Sequence, residues 1–175
     1  MSPAQWVFGY ASLVHDHAGE AAVPAVLEGW RRTWGVATDN TRSIPGYKMY
    51  LDRRDGSRPA VYVAFLDVEP DPGGRVRGLA TPVDDEELSE LDLRERNYER
   101  TDVSGQVRGV EGRVWTYVGS PEGRARLRQG TESGAAVISR DYLDKVRRGF
   151  GEMNDADPIP EGLPVWDLDR VDLPA

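Results

Sequence analysis

The sequence predicts an α+β fold in which a small, mixed, barrel-like β-sheet is flanked by helices. Three observations support this prediction: the first half of the 175-residue chain is rich in strand-like segments, the second half alternates helices with strands, and turn-forming residues separate the segments. The length suits one domain. We expect this domain to cover residues 1–153, followed by an extended, acidic, proline-rich tail over residues 154–175 that has no helical or strand period.

The strand predictions depend on runs of aromatic and β-branched residues. Residues 59–68 are apolar on both faces, which is typical of a central strand. The Asp-Pro-Gly-Gly sequence at residues 71–74 is interpreted as a hairpin turn, after which the chain returns as the next strand. The predicted strands cover residues 6–10, 25–36, 47–51, 59–68, 76–83 and 112–117.

Three helices are predicted from their end signals. Asp84 followed by Glu87 forms a capping box for the first helix. Gly130 is expected to end the second helix, and Ser139 to cap the third. The predicted helices cover residues 85–96, 121–128 and 140–148.

Composition and charge exclude several classes of function. A net charge of −8, with basic residues scattered among acidic ones, argues against nucleic-acid binding. Because the chain has no cysteine, disulfides, zinc ribbons, iron–sulfur ligation and a thiol nucleophile are excluded. We expect no membrane span and no signal peptide, since no long apolar run occurs, and therefore a cytoplasmic protein. The oligomeric state is left open.

A serine and two histidines near the N-terminus do not support a hydrolase or a metal site. A nucleophile elbow around Ser12 would need glycines two residues before and after it, where Tyr10 and Val14 stand. His15 and His17 are the only histidines in the chain, and their segment is typical of a loop. We therefore predict no metal site.

Glu95 is the candidate for acid–base chemistry. Leu88, Leu91 and Glu95 are spaced i, i+3, i+7, which predicts a carboxylate on the buried face of the first helix. No basic residue lies three or four positions from Glu95, and a carboxylate buried without a cation would have a raised pKa. Two other interpretations stay open: Glu95 points into water at a fraying helix end, or it pairs with an arginine from elsewhere.

Three motifs, in order along the chain, resemble signatures of the γ-glutamylcyclotransferase-like family, which includes AIG2-like and ChaC-like proteins. Residues 8–13 (FGYASL) resemble its YGSL signature, residues 91–98 (LDLRERNY) resemble an LD-x-RE segment followed by tyrosine, and residues 139–143 (SRDYL) resemble the PS-x-x-Y opening of a late helix. Two positions depart from the pattern, because Ala11 replaces the usual glycine and Ile138 the usual proline. The first departure matters more, since glycine would permit positive φ and a close approach of the backbone to a ligand.

The resemblance implies an enzyme that releases 5-oxoproline from a γ-glutamyl peptide or amine. The α-amine of the glutamyl group attacks its own side-chain carbonyl, so the reaction needs no metal or organic cofactor. The family's catalytic base corresponds to Glu95, which is expected to act as general acid and base. Backbone amides freed where the first strand ends are expected to bind the oxyanion. The expected substrate-binding residues are Tyr10, Ala11, Ser12, Leu13 and Tyr142.

Two alternatives stay open beside this hypothesis. A small-molecule-binding module of the same fold, without activity, is favoured by Ala11. A protein-interaction domain would instead use the acidic, proline-rich tail as its contact. The sequence does not determine which γ-glutamyl compound would be the substrate, and Tyr142 could equally be a core aromatic residue.

Overall fold

The computed structural model describes residues 4–11, 21–153 and 162–175. Along these residues, four strands precede the first helix, and two further helices lie among the later strands, which confirms the predicted α+β class. The strands are β1 (Gln5–Gly9), β2 (Val23–Asp39), β3 (Lys48–Asp52), β4 (Tyr62–Pro82), β5 (Tyr98–Asp102), β6 (Val107–Arg108), β7 (Arg113–Gly119), β8 (Ala136–Ser139), β9 (Val165–Trp166) and β10 (Leu168–Asp172). The helices are α1 (Asp85–Arg94), α2 (Pro121–Glu132) and α3 (Arg140–Met153).

Eight of these strands form one mixed sheet that curls into a half-barrel. The order is β5-β7-β1-β4-β2-β6, and β8 pairs with both β4 and β9. β1 runs parallel to β7 and antiparallel to β4, so both pairing types meet at the first strand. β3 and β10 form a separate antiparallel pair. This arrangement confirms the small, mixed, barrel-like sheet.

The predicted hairpin turn at residues 71–74 is wrong. β4 continues through these residues, and both of its halves pair with β2, with Trp30 opposite Pro70 and Glu28 opposite Arg75. Four residues of β4 therefore stand opposite one residue of β2, which is a bulge. Glycine and proline are typical of bulges as well as turns, and the 17 residues of β2 supply a continuous partner for both halves.

All three helix predictions differ from the structure at an end. α1 stops one residue before Glu95, and α3 continues beyond the predicted end at residue 148. α2 continues through Gly130, because this glycine serves packing: a Cβ there would lie 2.7 Å from the Cβ of Tyr62. Ser139 is the last residue of β8 and directly precedes α3. None of the described helices is long and apolar enough to cross a membrane.

The described part of the predicted tail contains two strands, which no period in the sequence indicates. β10 pairs with β3 over five residues, and β9 pairs with β8. The single fully buried residue of β10 is Leu168, and its remaining side chains are exposed or half-buried. This strand carries too few apolar residues for a period-two pattern to be visible in the sequence.

A small apolar cluster fixes α1 to the sheet. Leu91 of α1 packs with Val7 of β1 and Tyr117 of β7, and all three side chains are buried. Burying a leucine side chain contributes roughly 1.5–3 kcal/mol. The cluster therefore holds the C-terminal end of α1 beside the strand that opens the chain, and this contact positions the candidate site.

Candidate active site

Two adjoining cavities meet at Glu95. The outer cavity, of about 450 Å³, lies between the end of α1, the start of α3 and the β3–β10 pair. The inner cleft, of about 20 Å³, is lined by Tyr10 and Ala11 at the exit of β1. Glu95, Tyr98 and Tyr142 line both spaces. The structure thus brings together four of the six predicted site residues.

The other two predicted site residues, Ser12 and Leu13, lie outside the described residues. His15 and His17 also lie outside them. Among the residues that the structure describes, no group of three or more histidines, aspartates or glutamates is arranged to hold a metal ion.

Glu95 is half-buried and stands at the C-cap of α1, not on its interior face. Its N–H donates to the Leu91 carbonyl at 2.8 Å, and its carbonyl accepts from the N–H of Tyr98 at 3.1 Å. At the other end of α1, Asp84 accepts from the N–H of Glu87 at 2.8 Å, as the capping box predicts. The predicted helical face is therefore wrong for Glu95: its backbone leaves the helix (φ −91°, ψ 64°), and this exit places the carboxylate beside the cavities.

Tyrosine side chains form much of the walls of both cavities. Burial raises the pKa of five of them, and the charge of Glu95 adds to the rise for every one of these except Tyr50. These phenols therefore stay protonated at neutral pH and can donate hydrogen bonds. The five are Tyr10, Tyr47, Tyr50, Tyr98 and Tyr117.

Tyr142 lines the site and also packs in the core, so its two predicted roles occur together. Its hydroxyl accepts from the N–H of Leu66 at 3.2 Å, while the Tyr98 hydroxyl donates to the carbonyl of Leu66 at 2.7 Å. The ring of Tyr142 stands edge-on to Phe65 and Trp34, with centroids 5.0 and 5.9 Å away. Two phenols are thus held against one residue of β4.

Tyr10, directly after β1, is held by contacts from distant parts of the chain. The Tyr10 hydroxyl donates to the Tyr117 carbonyl at 2.6 Å, and the Tyr10 carbonyl accepts from Nε of Arg32 at 2.9 Å. The Arg32 guanidinium also lies 4.0 Å from the centre of the Phe150 ring. Ala11 is buried, with 8% of its surface exposed. Arg32 was not predicted, because no local pattern signals a contact between two strands.

Lys48 is a second residue that was not predicted. It is half-buried, it lines the outer cavity, and its ammonium lies 4.1 Å from the centre of the Phe65 ring. Desolvation, with a smaller contribution from the positive charge of Arg170, lowers the pKa of Lys48 to about 8. The period-two alternation of the β3 segment could have placed Lys48 and Tyr50 on one face, but nothing in the sequence shows what that face meets.

A half-barrel sheet with a carboxylate between two tyrosine-lined cavities has the features of a small-molecule site. The model of the family described as gamma-glutamyl cyclotransferase, AIG2-like, matches residues 7–135, and the chain belongs to this family. The match includes Tyr10, Ala11 and Glu95, whereas α3, β9 and β10 lie beyond it. No curated protein matches the chain at a significant level.

Solved structures show the same fold at low sequence identity. A γ-glutamyl cyclotransferase specific to glutathione, from yeast, is 13% identical, with a TM-score of 0.53 over 91% of each chain. An uncharacterized protein from Homo sapiens is 15% identical, with a TM-score of 0.52 over 91% of this chain and 83% of that one. Both are likenesses of fold.

Proposed function

We propose that this protein is a γ-glutamylcyclotransferase-type enzyme that releases 5-oxoproline from a γ-glutamyl peptide or amine. The observation that carries the proposal is the position of Glu95, a half-buried carboxylate that borders both the outer cavity and the cleft at the exit of β1. Membership of a family that includes cyclotransferases supports the same reaction class. The cytoplasmic location and the boundary at residue 153 remain predictions from the sequence.

One carboxylate can perform two of the proton transfers that the reaction needs, one after the other. Glu95 takes a proton from the substrate's α-ammonium, and the free amine attacks the γ-carbonyl carbon of the same glutamyl group. The tetrahedral intermediate carries an oxyanion, for which backbone N–H groups at the exit of β1 are the proposed donors. Glu95 then gives its proton to the leaving nitrogen as the amide C–N bond breaks, and the ring nitrogen, which the attack leaves with two hydrogens and a positive charge, gives one of them to the released amine. The products are 5-oxoproline and the released amine in its ammonium form.

The contacts around Glu95 suit this role. Its backbone is hydrogen-bonded on both sides, to Leu91 and to Tyr98, so the carboxylate is carried by a fixed main chain. The phenol of Tyr98, whose pKa burial raises well above its ordinary value, contributes a polar group beside Glu95 without a competing negative charge. Such preorganisation lowers the reorganisation cost at the moment of reaction.

The proposal is tested by measuring 5-oxoproline release from γ-glutamyl peptides and γ-glutamyl amines. We expect Glu95→Gln to lower kcat by roughly 10²- to 10⁴-fold while its circular dichroism and melting temperature stay unchanged. Glu99→Gln is the matched control, because Glu99 is an exposed glutamate of β5 that lines neither cavity, and it should keep full activity. Full activity of a folded Glu95→Gln protein contradicts the mechanism, and a wild-type protein that releases 5-oxoproline from none of the compounds contradicts the enzymatic function.

A binding module without activity is the second candidate, and Ala11 favours it. This residue replaces the family's usual glycine, and it is buried beside the cleft. If the methyl group prevents the close approach of backbone and substrate, the protein would bind γ-glutamyl compounds and release no 5-oxoproline. Isothermal titration with the same compounds distinguishes the two candidates, and activity that appears in Ala11→Gly would assign the loss to this methyl group.

A further inference from the structure

The outer cavity carries an excess of positive charge in a protein whose net charge is −8. Five cationic side chains line it, against three carboxylates. The chain has only two lysines among its 22 basic residues, and both line this cavity. The five cations are Lys48, Arg94, Arg96, Lys145 and Arg170.

The three carboxylates already have contacts or a proposed role. Asp141 accepts from Arg53, which does not line the cavity, at 2.7 Å. Asp172 pairs with Arg170 at 2.8 Å, which occupies only part of a guanidinium with five N–H donors. Glu95 is the proposed acid and base. The cationic excess is therefore not cancelled within the cavity wall.

Lys48 and Arg170 lie on the same face of the β3–β10 pair. Arg170 is opposite Tyr50, and Asp172 is opposite Lys48, so the two cations are diagonal neighbours. Diagonal positions are roughly 7–8 Å apart, within reach for long side chains. To the described residues, Lys48 makes no hydrogen bond or ion pair, and its ammonium instead lies over the Phe65 ring. Asp172 stands opposite Lys48 and pairs with Arg170, but the Lys48 ammonium itself is desolvated, and a bound anion would relieve this cost.

We propose that Lys48 and Arg170 bind a carboxylate on the leaving part of the substrate, and thereby select γ-glutamyl amino acids or peptides over γ-glutamyl derivatives of uncharged amines. The inference rests on the proposed function. In an α-amino acid the carboxylate carbon lies about 2.5 Å from the nitrogen, so this group enters the cavity together with the scissile bond. The Glu95 charge acts on Lys48, which places the anion-binding pair within electrostatic range of the reacting centre.

The proposal gives strand β10, in the C-terminal segment, a role in substrate choice. Arg170 and Leu168 belong to β10, which lies beyond residues 7–135, and both line the outer cavity. Their place in the cavity wall favours a contribution to substrate choice over the free partner-binding tail that the sequence left open.

The test compares γ-glutamyl-alanine with γ-glutamyl-alaninamide, which differ only in the charge of the leaving part. We expect the wild-type kcat/KM to be roughly 10- to 100-fold higher for γ-glutamyl-alanine, the effect of a hydrogen bond to a charged group. Lys48→Gln and Arg170→Gln should raise KM for γ-glutamyl-alanine by more than for the amide, so that the preference between the two compounds falls. Lys48→Arg should retain the preference. Arg75→Gln is the matched control, because Arg75 is exposed on β4 and lines neither cavity.

Failure of this inference is distinguishable from failure of the proposed function. Equal kcat/KM values for the two compounds, or equal losses for both in Lys48→Gln and Arg170→Gln, overturn the anion-binding pair and leave the enzymatic function standing. If neither these two compounds nor any of the other γ-glutamyl peptides and amines releases 5-oxoproline, the enzymatic function fails. Isothermal titration of both compounds then decides the anion-binding pair by itself: tighter binding of γ-glutamyl-alanine, lost in Lys48→Gln, supports it, and equal binding overturns it.

Discussion

Raising the pH above 10 should unfold this protein by ionising tyrosines that the native state keeps protonated. Tyr10, Tyr50 and Tyr117 are 5%, 3% and 2% exposed, and burial raises the pKa of each above its ordinary value of 10.0. Above pH 10 the unfolded chain releases these protons while the native protein keeps them. The native state then binds more protons than the unfolded state, so the free energy of unfolding falls as the pH rises.

The size of the effect follows from the same linkage. At pH 11, one unit above the unfolded pKa, each retained proton costs about 1.4 kcal/mol of stability, so the three tyrosines cost about 4 kcal/mol. Lys48 acts in the opposite direction between pH 8 and 10.5, because unfolding lets this lysine take up a proton, and its gain of about 3 kcal/mol offsets most of the tyrosine loss at pH 11. The net loss at pH 12 is about 5 kcal/mol, so, against a total of about 5–15 kcal/mol, unfolding is expected from about pH 12 upward.

The assay follows tyrosinate absorption at 295 nm and far-ultraviolet circular dichroism during one alkaline titration. We expect ionisation of the buried tyrosines to coincide with loss of secondary structure. Tyr50→Phe removes one titrating group, so its loss of unfolding free energy between pH 7 and pH 11, measured by urea denaturation, should be about 1.4 kcal/mol smaller. If these tyrosines ionise near pH 10 while the dichroism stays native, the reasoning is refuted.

Two further predictions concern side chains that the sequence did not indicate. Arg32→Gln removes the hydrogen bond from Arg32 to the Tyr10 carbonyl at 2.9 Å, so kcat should fall by roughly 10-fold with little change in KM. Arg32→Lys should recover part of this loss. A change in KM alone would contradict a positioning role for Arg32. After reductive ¹³C-methylation, the Lys48 signal, assigned with the help of Lys145→Gln, should titrate with a midpoint near pH 8, and a midpoint near 10.5 would contradict its desolvation.

Local patterns predicted the elements whose signals are contained in a few residues. The aromatic run of residues 6–10 corresponds, within one residue at each end, to β1 (Gln5–Gly9), and the Asp84 capping box begins α1. Gly130 and residues 71–74 misled the prediction, because the same residues serve turns, bulges and close packing. The neighbour decides which of these occurs. Tyr62 packs against Gly130, and β2 pairs with the residues on both sides of 71–74, but a single sequence shows neither neighbour.

In the candidate site, too, the sequence predicts some features and not others. Glu95, Tyr10, Ala11 and Tyr142 were selected by resemblance, and the structure brings them to one place, although their catalytic and binding roles remain proposals. The helical spacing offered for Glu95 was the wrong reason, because the residue caps the helix. A glutamate inside the helix would point its carboxylate along the buried helical face. At the C-cap the backbone leaves the helix, and this change of direction turns the Glu95 carboxylate toward both cavities.

On the proposed mechanism, the residue that performs the reaction and the residues that select the substrate come from two different parts of the chain. Glu95 lies within the residues that match the family, while Arg170 comes from β10, which lies beyond them. β10 is attached mainly by its pairing with β3, so its side chains can change without moving α1 or β1. On the proposed mechanism, a change in the charge of the β3–β10 face would therefore alter which leaving group is accepted and preserve the proton transfers at Glu95.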